Sequence, residues 1–312
     1  MPFFPSRPLS LVLFATSLVF SAAGCKTKCE NIGGRTVCTA KSLSGYVGTT
    51  VPREVSWTPG QPIDIVVDGG NVRVGTVASL AVQVLPYEAT KNPSPNQVYV
   101  EFTPVIAIPA DEKEKGIQQM TTQLTLSATA TAGGPVRVAV TPTGTTDSSL
   151  SASVRLYLPA NFNGDLNVTN SAGGKTNGDL SVQGVTGAVR VLTSTGSITV
   201  NGVGSTIDAQ TGVGDVTVVF GSPPVASATG KLVTELGNIA LTLKQASNVS
   251  LQAQASSPDG LVLAPDPLPA GWQMAVSAPT AKSFTGNAGN AAPWFLDASQ
   301  GVKSTVTFTL VP

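Results

Sequence analysis

Three cysteines are the residues of this chain whose type and spacing point most directly to chemistry. The 312 residues include Cys25, Cys29 and Cys38 and contain no histidine. An odd number of cysteines in an exported chain leaves one thiol without a partner. Cys29 and Cys38 flank the segment CENIGGRTVC, and a turn at Gly33-Gly34 would place them opposite each other. In that register they form a non-hydrogen-bonded pair, so the spacing predicts a cross-strand disulfide.

Cys25 closes a segment that has the layout of an export signal. Arg7 precedes an apolar run from Leu9 to Phe20, and small residues fill positions 21–24. The run is too short for a membrane span and is typical of a secretory signal peptide. Its small–small–Cys ending resembles the bacterial lipobox, although Ala22 stands where leucine is usual. The resemblance implies removal of residues 1–24, with a diacylglyceryl thioether and an N-acyl chain on Cys25.

Lipidation would use Cys25 and leave an even pair of cysteines. Several acyl chains give stable attachment to a membrane, so we expect the membrane to be a partner through the N-terminal lipid. The alternative is an ordinary cleaved signal with Cys25 as a bystander. Lys26 follows the cysteine, and by resemblance to enteric sorting signals this favours the outer membrane. We expect a cell-envelope protein, with the periplasmic or surface face left open.

Aspartates in Gly-Asp turns are the second group that could do chemistry. Asp165, Asp179 and Asp215 each follow a glycine. Calcium-binding β-rolls repeat G-G-x-G-x-D in register, so that several oxygens surround each ion. Here Gly173-Gly174 precedes Gly178-Asp179 at the wrong spacing, and this occurs once. We predict that these aspartates cap their own turns, and that the chain has no metal site and no cofactor.

Catalysis would need groups that the pattern does not bring together. Hydrolysis of a glycoside requires paired carboxylates facing one cleft. Asp208 and Asp215 are the nearby outward candidates, but the nine-residue repeat described below puts them at different points of the rung. The absence of histidine excludes the usual Ser–His–Asp triad. Charge is balanced, with 18 basic and 18 acidic side chains, which leaves no electrostatic footprint for nucleic acid. The sequence predicts no catalytic residue and leaves the ligand undefined.

A nine-residue repeat of apolar pairs determines the elements that position these side chains. The pairs are Leu180/Val182, Val189/Val191, Ile198/Val200, Ile207/Ala209 and Val216/Val218. Each has the apolar–polar–apolar form of a strand with alternate side chains in a core, and glycines separate the pairs. So short a period indicates an all-β fold that grows by adding similar rungs. We predict a single-stranded β-solenoid or β-helix with short rungs, with an antiparallel β-sandwich as the alternative.

An 18-residue step distinguishes these two architectures. In a solenoid with two strands per coil, residues 18 positions apart would lie about 4.8 Å from each other on one face. Arg190 and Asp208 would then be neighbours of opposite charge, and Thr199 would stack on Thr217. An antiparallel meander makes no use of such a step, so the match favours the solenoid.

The pattern divides the chain into a signal peptide at 1–24, an anchor segment with a hairpin and connector at 25–60, and a β-solenoid domain at 61–312. Segment 104–120 contains the charge cluster PADEKEKG and is predicted to be a surface loop or one helical turn. Segment 264–298 is irregular and rich in late aromatics. These aromatics are expected to cover the open end of the solenoid: Trp272, Phe284, Trp294 and Phe295. Specific contacts are expected on these two segments.

The rungs also resemble those of a known family. The runs that begin at Gly187, Thr195, Gly214 and Gly237 follow the pattern T-x-x-G-[DSN]-[IV]-x-[VL] in whole or in part. This pattern is similar to that of the bacterial putative-adhesin β-helix family, a domain of unknown function. The resemblance covers about residues 60–312. It implies a β-helical envelope protein and supplies no catalytic residue.

These observations predict a lipid-anchored cell-envelope protein with a structural or adhesive role and no enzymatic activity. Envelope proteins and surface glycans are the candidate partners. The alternative function is a carbohydrate-active β-helix enzyme, either a polysaccharide lyase or a hydrolase. Between residues 163 and 271, however, Phe220 is the sole aromatic, which argues against an extended sugar-binding groove on the regular rungs.

Overall fold

Strands dominate the computed structural model, which describes residues 25–32, 35–68, 81–92, 94–143, 150–286, 293–301 and 303–312. The first ten strands are β1 (Cys25–Ile32), β2 (Arg35–Val47), β3 (Val51–Ser56), β4 (Ile63–Val67), β5 (Ala81–Leu85), β6 (Gln97–Pro109), β7 (Leu124–Ala130), β8 (Val136–Pro142), β9 (Leu150–Tyr157) and β10 (Leu166–Thr169). The helical elements of the described residues are α1 (Lys113–Thr122) and 3₁₀ turns at Ala110–Glu112 and Pro258–Gly260.

Thirteen further strands follow along the chain. They are β11 (Asp179–Gln183), β12 (Val189–Thr195), β13 (Ile198–Val203), β14 (Ile207–Val213), β15 (Val216–Phe220), β16 (Gly230–Leu236), β17 (Ile239–Lys244), β18 (Ser250–Ala255), β19 (Leu261–Ala264), β20 (Trp272–Ala278), β21 (Ala281–Gly286), β22 (Pro293–Ala298) and β23 (Val306–Val311). The strands form two mixed sheets. Sheet I has the order β1-β2-β6-β9-β5-β11-β13-β15-β17-β23-β19, with β3 also paired to β6. Sheet II has the order β20-β21-β18-β22-β16-β14-β12-β10-β4-β8-β7.

Parallel pairing characterises the section from β10 to β17, at a step of 18 residues between β11 and β15 and of 23 residues on either side. Successive strands alternate between the two sheets, and each pairs in parallel with the strand two positions further along. The predicted 18-residue step is confirmed, because Arg190 pairs with Asp208 and Thr199 pairs with Thr217. The parallel ladder therefore places residues that are distant in sequence side by side on one face.

The all-β prediction is confirmed, and two large sheets around one core fit a sandwich-like arrangement. The antiparallel pairing of the alternative prediction is wrong for β10–β17, where every described pair is parallel. Antiparallel pairs lie nearer the two ends of the sheets, for example β7 with β8 and β20 with β21.

One hydrophobic core fills the space between the sheets. Val189 and Val191 of sheet II and Ile198 and Val200 of sheet I are all at most 1% exposed. The intervening side chains, such as Arg190, point outward. This period-two alternation follows from strand geometry, and burial of the inward set drives the sheets together. β-Branched residues suit such half-buried strands.

Buried threonines join neighbouring strands at one corner of the molecule. The Oγ1 atom of Thr211 donates a hydrogen bond of 2.8 Å to the carbonyl oxygen of Gly196. Thr234 makes the same bond to Gly214 at 2.8 Å. The Thr-x-x-Gly spacing of the rungs thus has a structural cause, because each of these hydroxyls binds a glycine carbonyl at the corner of the neighbouring strand.

The N-terminal end differs from the sequence prediction. Segment 104–120 holds more regular structure than the predicted loop or single helical turn, because residues 104–109 belong to β6 and α1 is a helix of 10 residues. The helix packs on β6 through Met120, which joins Ile106 and Ile108 in a small second core. The charge cluster of its first turn concealed the helix, whose stability comes from this tertiary contact. Residues 51–56 of the expected connector also form a strand, β3.

Candidate binding surfaces

The cysteine pair lies on the N-terminal hairpin of β1 and β2. Cys29 pairs with Cys38 in the antiparallel register predicted from the sequence, and Cys25 pairs with Ser42. The side chains of residues 25–42, the turn at Gly33-Gly34 and all of residues 1–24 lie outside the described part of the structure. The disulfide, the signal peptide and the lipid on Cys25 therefore stay predictions. Within the described residues, no helix has the length and apolar character needed to cross a membrane.

The Gly-Asp aspartates bind backbone amides immediately before the neighbouring strand of the same sheet. Oδ1 of Asp179 accepts a hydrogen bond of 2.8 Å from the N–H of Ser197, 18 residues further on. Asp165 accepts from Ala188, and Asp215 from Asn238, each at 2.8 Å. The prediction that they cap their own turns is wrong, because parallel stacking brings the next strand's amide within reach. Their role in these contacts is to join neighbouring strands.

The carboxylates weighed for hydrolysis are not brought together. Asp208 lies on β14 of sheet II, where its Oδ2 is 3.4 Å from Nε of Arg190 and its Oδ1 accepts a 2.6 Å hydrogen bond from Gln210. Asp215 immediately precedes β15 of sheet I and binds Asn238. Among the described residues, no cluster of three or more Asp, Glu, Cys or His side chains could hold a metal ion.

The late aromatics divide between the core and the surface. Trp272 and Phe284 pack on Phe308 of β23, with ring centroids 5.4 and 5.5 Å apart, and they cover the last strands of the core as expected. Trp294 lies deeper than expected: it is fully buried against Phe220 and donates from Nε1 to the carbonyl oxygen of Ala228 at 3.0 Å. Phe295 faces outward and is 39% exposed, so it does not cover the core.

The outer faces of the two sheets differ in charge over the central strands, whereas sheet I carries the ion pair of Arg155 and Glu101 nearer its N-terminal end. On sheet II one continuous row of neighbouring residues alternates in charge, apart from one asparagine: Arg137, Asp64, Asn167, Arg190, Asp208 and Lys231. Opposite charges on adjacent strands favour this register, since like charges directly opposite each other would destabilise it. The exposed ion pairs themselves contribute little to stability.

Sheet I presents what we call the uncharged face. It consists of two adjacent rows of half-buried outward side chains: Ser181, Thr199, Thr217, Ala240 and Thr307, and Gln183, Asn201, Val219, Thr242 and Thr309. Five strands carry these rows, so the face extends about 19 Å across the strands. The sequence contained the signal for this face. The 18-residue step assigns the Ser and Thr positions to one sheet and Arg190 and Asp208 to the other.

A groove lies at the N-terminal end, which we call the N-terminal groove. Its volume is about 820 Å³. It is lined by Val47, Gly48, Thr49, Val51, Arg53, Pro104, Ile117, Met120, Thr121, Leu124, Thr125 and Leu126. Sequence reasoning missed this groove because its walls come from β2, β3, β6, α1, β7 and the β2–β3 turn, which are separated along the chain.

Comparisons with known proteins do not show a family for this chain. The chain matches no protein-family model and no curated protein. Among solved structures it is similar to a protein from Clostridium sporogenes described as a putative cell adhesion protein, with 7% sequence identity and a TM-score of 0.40. The match covers 84% of this chain and 100% of that chain. A likeness this low carries no argument, so the family similarity of the rungs remains a resemblance.

Proposed function

We propose that this chain is a lipid-anchored cell-envelope protein with an adhesive or structural role, and that it has no catalytic activity. Its body is a β-solenoid with two strands per coil, and its binding surface is the uncharged face of sheet I. The observation that carries the proposal is the parallel, in-register stacking of β10–β17, which repeats the same outward positions on every second strand.

The solenoid interpretation is supported by the way each strand meets its partners. Ile198 pairs with Leu180 on one side and with Val216 on the other, at steps of 18 residues. The chain therefore returns to the same sheet after each second strand. A sandwich built from hairpins would place consecutive strands beside each other instead.

The adhesive role is supported by the chemistry of the uncharged face. Thr199 and Thr217 are neighbours in its central strands and are half exposed. Docking a flat partner on such a face removes no charged group from water, which would be costly. Hydroxyl and amide side chains can meanwhile form hydrogen bonds at the regular strand spacing. Surface glycans and envelope proteins with flat polar surfaces have the matching chemistry.

The adhesive role is tested with charge insertion. In the Cys25→Ala background, so that lipid insertion makes no contribution, the full chain is applied to isolated cell-envelope fragments and its retention is measured. The double variant Thr199→Lys/Thr217→Lys is expected to bind at least about tenfold more weakly because two charges must be desolvated. The matched control, Gln252→Lys, is exposed on the outer face of sheet II and should bind normally. Equal retention of both variants would rule out the uncharged face.

The anchor is tested separately. Cys25→Ala, or treatment with the signal-peptidase inhibitor globomycin, should leave an unprocessed or soluble form in place of a membrane-associated one. Unchanged membrane association would contradict the lipid anchor.

The absence of catalysis is tested by incubating the purified protein with a panel of polysaccharides, with and without calcium. Turnover of any of them would overturn the binding proposal in favour of a carbohydrate-active enzyme.

A further inference from the structure

The N-terminal groove combines an apolar wall with a cation. Val47 and Ile117 are 56% and 40% exposed although both are large and apolar. Met120 is 6% exposed and belongs to the small core beneath the groove. Apolar side chains that are open to solvent along a concave surface indicate a ligand site more strongly than scattered exposed ones do.

Arg53 supplies the charge of this groove. It is the one ionisable side chain among the described lining residues, so the lining carries a positive charge without a carboxylate. Its Nη1 donates a hydrogen bond of 2.9 Å to the carbonyl oxygen of Pro52, and the side chain is exposed. Glu54, the next residue, points to the opposite face of β3 because successive side chains alternate. The other donors of the guanidinium can therefore bind an anion at the rim.

We propose that the N-terminal groove binds one long-chain fatty acid, with its carboxylate at Arg53 and its hydrocarbon tail along Val47, Ile117 and Leu126. The volume of about 820 Å³ lies within the range typical of small-molecule sites. Each methylene that leaves water favours binding, and a guanidinium pairs well with a carboxylate. Thr49, Thr121 and Thr125 also line the groove. The proposal depends neither on the lipid anchor nor on adhesion.

The test uses native mass spectrometry of the full chain with added deuterated palmitate or hexadecanol, which share a tail length and differ in head group. The expected result is a single palmitate adduct, with palmitate bound about tenfold more tightly than the alcohol. Ile117→Glu should lose both adducts because it places a carboxylate in the tail site. Arg53→Gln should make the two affinities equal. Val225→Glu is the matched control, since Val225 is 54% exposed outside the groove lining, and it should bind like the unmodified chain.

Three results would overturn the proposal. They are the absence of a single palmitate adduct, retention of that adduct by Ile117→Glu, and a preserved preference for palmitate in Arg53→Gln. A circular dichroism spectrum and a urea midpoint for each variant establish that a lost adduct does not reflect unfolding.

Discussion

Replacing Gly214 by alanine tests whether neighbouring strands stack as closely as the structure shows. Gly214 has φ 141°, and a Cβ atom there would lie 2.2 Å from the carbonyl oxygen of Gly196 and 2.5 Å from its carbonyl carbon. The backbone cannot easily move away, because the N–H of Gly214 donates a 2.9 Å hydrogen bond to Leu236 on the other side. The added methyl group must therefore push two strands apart.

The loss of stability expected for Gly214→Ala follows from the backbone conformation and the close contact at this residue. Holding alanine at a positive φ that glycine tolerates costs about 1–3 kcal/mol. Overpacking against a fixed carbonyl adds about 1–3 kcal/mol. The expected loss in the free energy of unfolding is thus about 2–6 kcal/mol, a large share of the roughly 5–15 kcal/mol that stabilises a typical protein. With a urea m-value of about 2–3 kcal/mol/M, the unfolding midpoint should fall by about 0.7–3 M.

Urea unfolding of the full-length variants, followed by circular dichroism and tryptophan fluorescence, measures this loss. Gly221→Ala is the matched control, because the nearest heavy atom to a Cβ there is the Cα of Gly202 at 3.6 Å, an ordinary contact. Its free energy of unfolding should change by no more than about 0.5 kcal/mol. If Gly214→Ala were no less stable than Gly221→Ala, the close stacking of these strands would be refuted.

Three further predictions use the same unfolding assay or a thiol assay. Arg190→Glu and Asp208→Arg should each cost up to about 0.5 kcal/mol, and the double variant should recover part of the loss, because an arginine at 208 still lies opposite Lys231; no recovery would rule out their pairing. Thr211→Val should cost about 1–2 kcal/mol because the buried hydroxyl bonds a carbonyl at 2.8 Å, whereas Thr211→Ser keeps that donor; a fully stable valine variant would show that the bond contributes nothing. Cys29 and Cys38 should react with maleimide only after a reductant has been added. Reaction without reductant would reject the disulfide.

The sequence predicted most of the central section because its information is local and periodic. Alternation around Val189 and Ile198 fixed which side chains face the core, and the 18-residue step fixed the partner of Arg190. The prediction was poorer where contacts are distant in sequence. Helix α1 depends on Met120 packing against β6, and nothing in the charged run at 110–116 reveals that contact.

The candidate sites were likewise predictable where they depend on residues close in sequence, and not where they depend on distant ones. The register of Cys29 with Cys38 could be read from ten residues, because a hairpin closes locally. The uncharged face was partly predictable: the 18-residue step places Thr199 beside Thr217, but only the two sheets show that Arg190 and Asp208 lie on the opposite face of the molecule. The aspartates were misread, since Asp179 binds an amide 18 residues away that is adjacent only after the strands stack.

The sequence by itself determined the all-β class, the inward positions and the spacing of the stacked strands, because strand alternation and a fixed period are properties of short segments. The tertiary structure alone decided where the two sheets end, how α1 and β3 cover the N-terminal end, and that Arg53 and Ile117 line one groove. Such juxtapositions join segments more than 60 positions apart, and their closeness depends on how the whole chain packs.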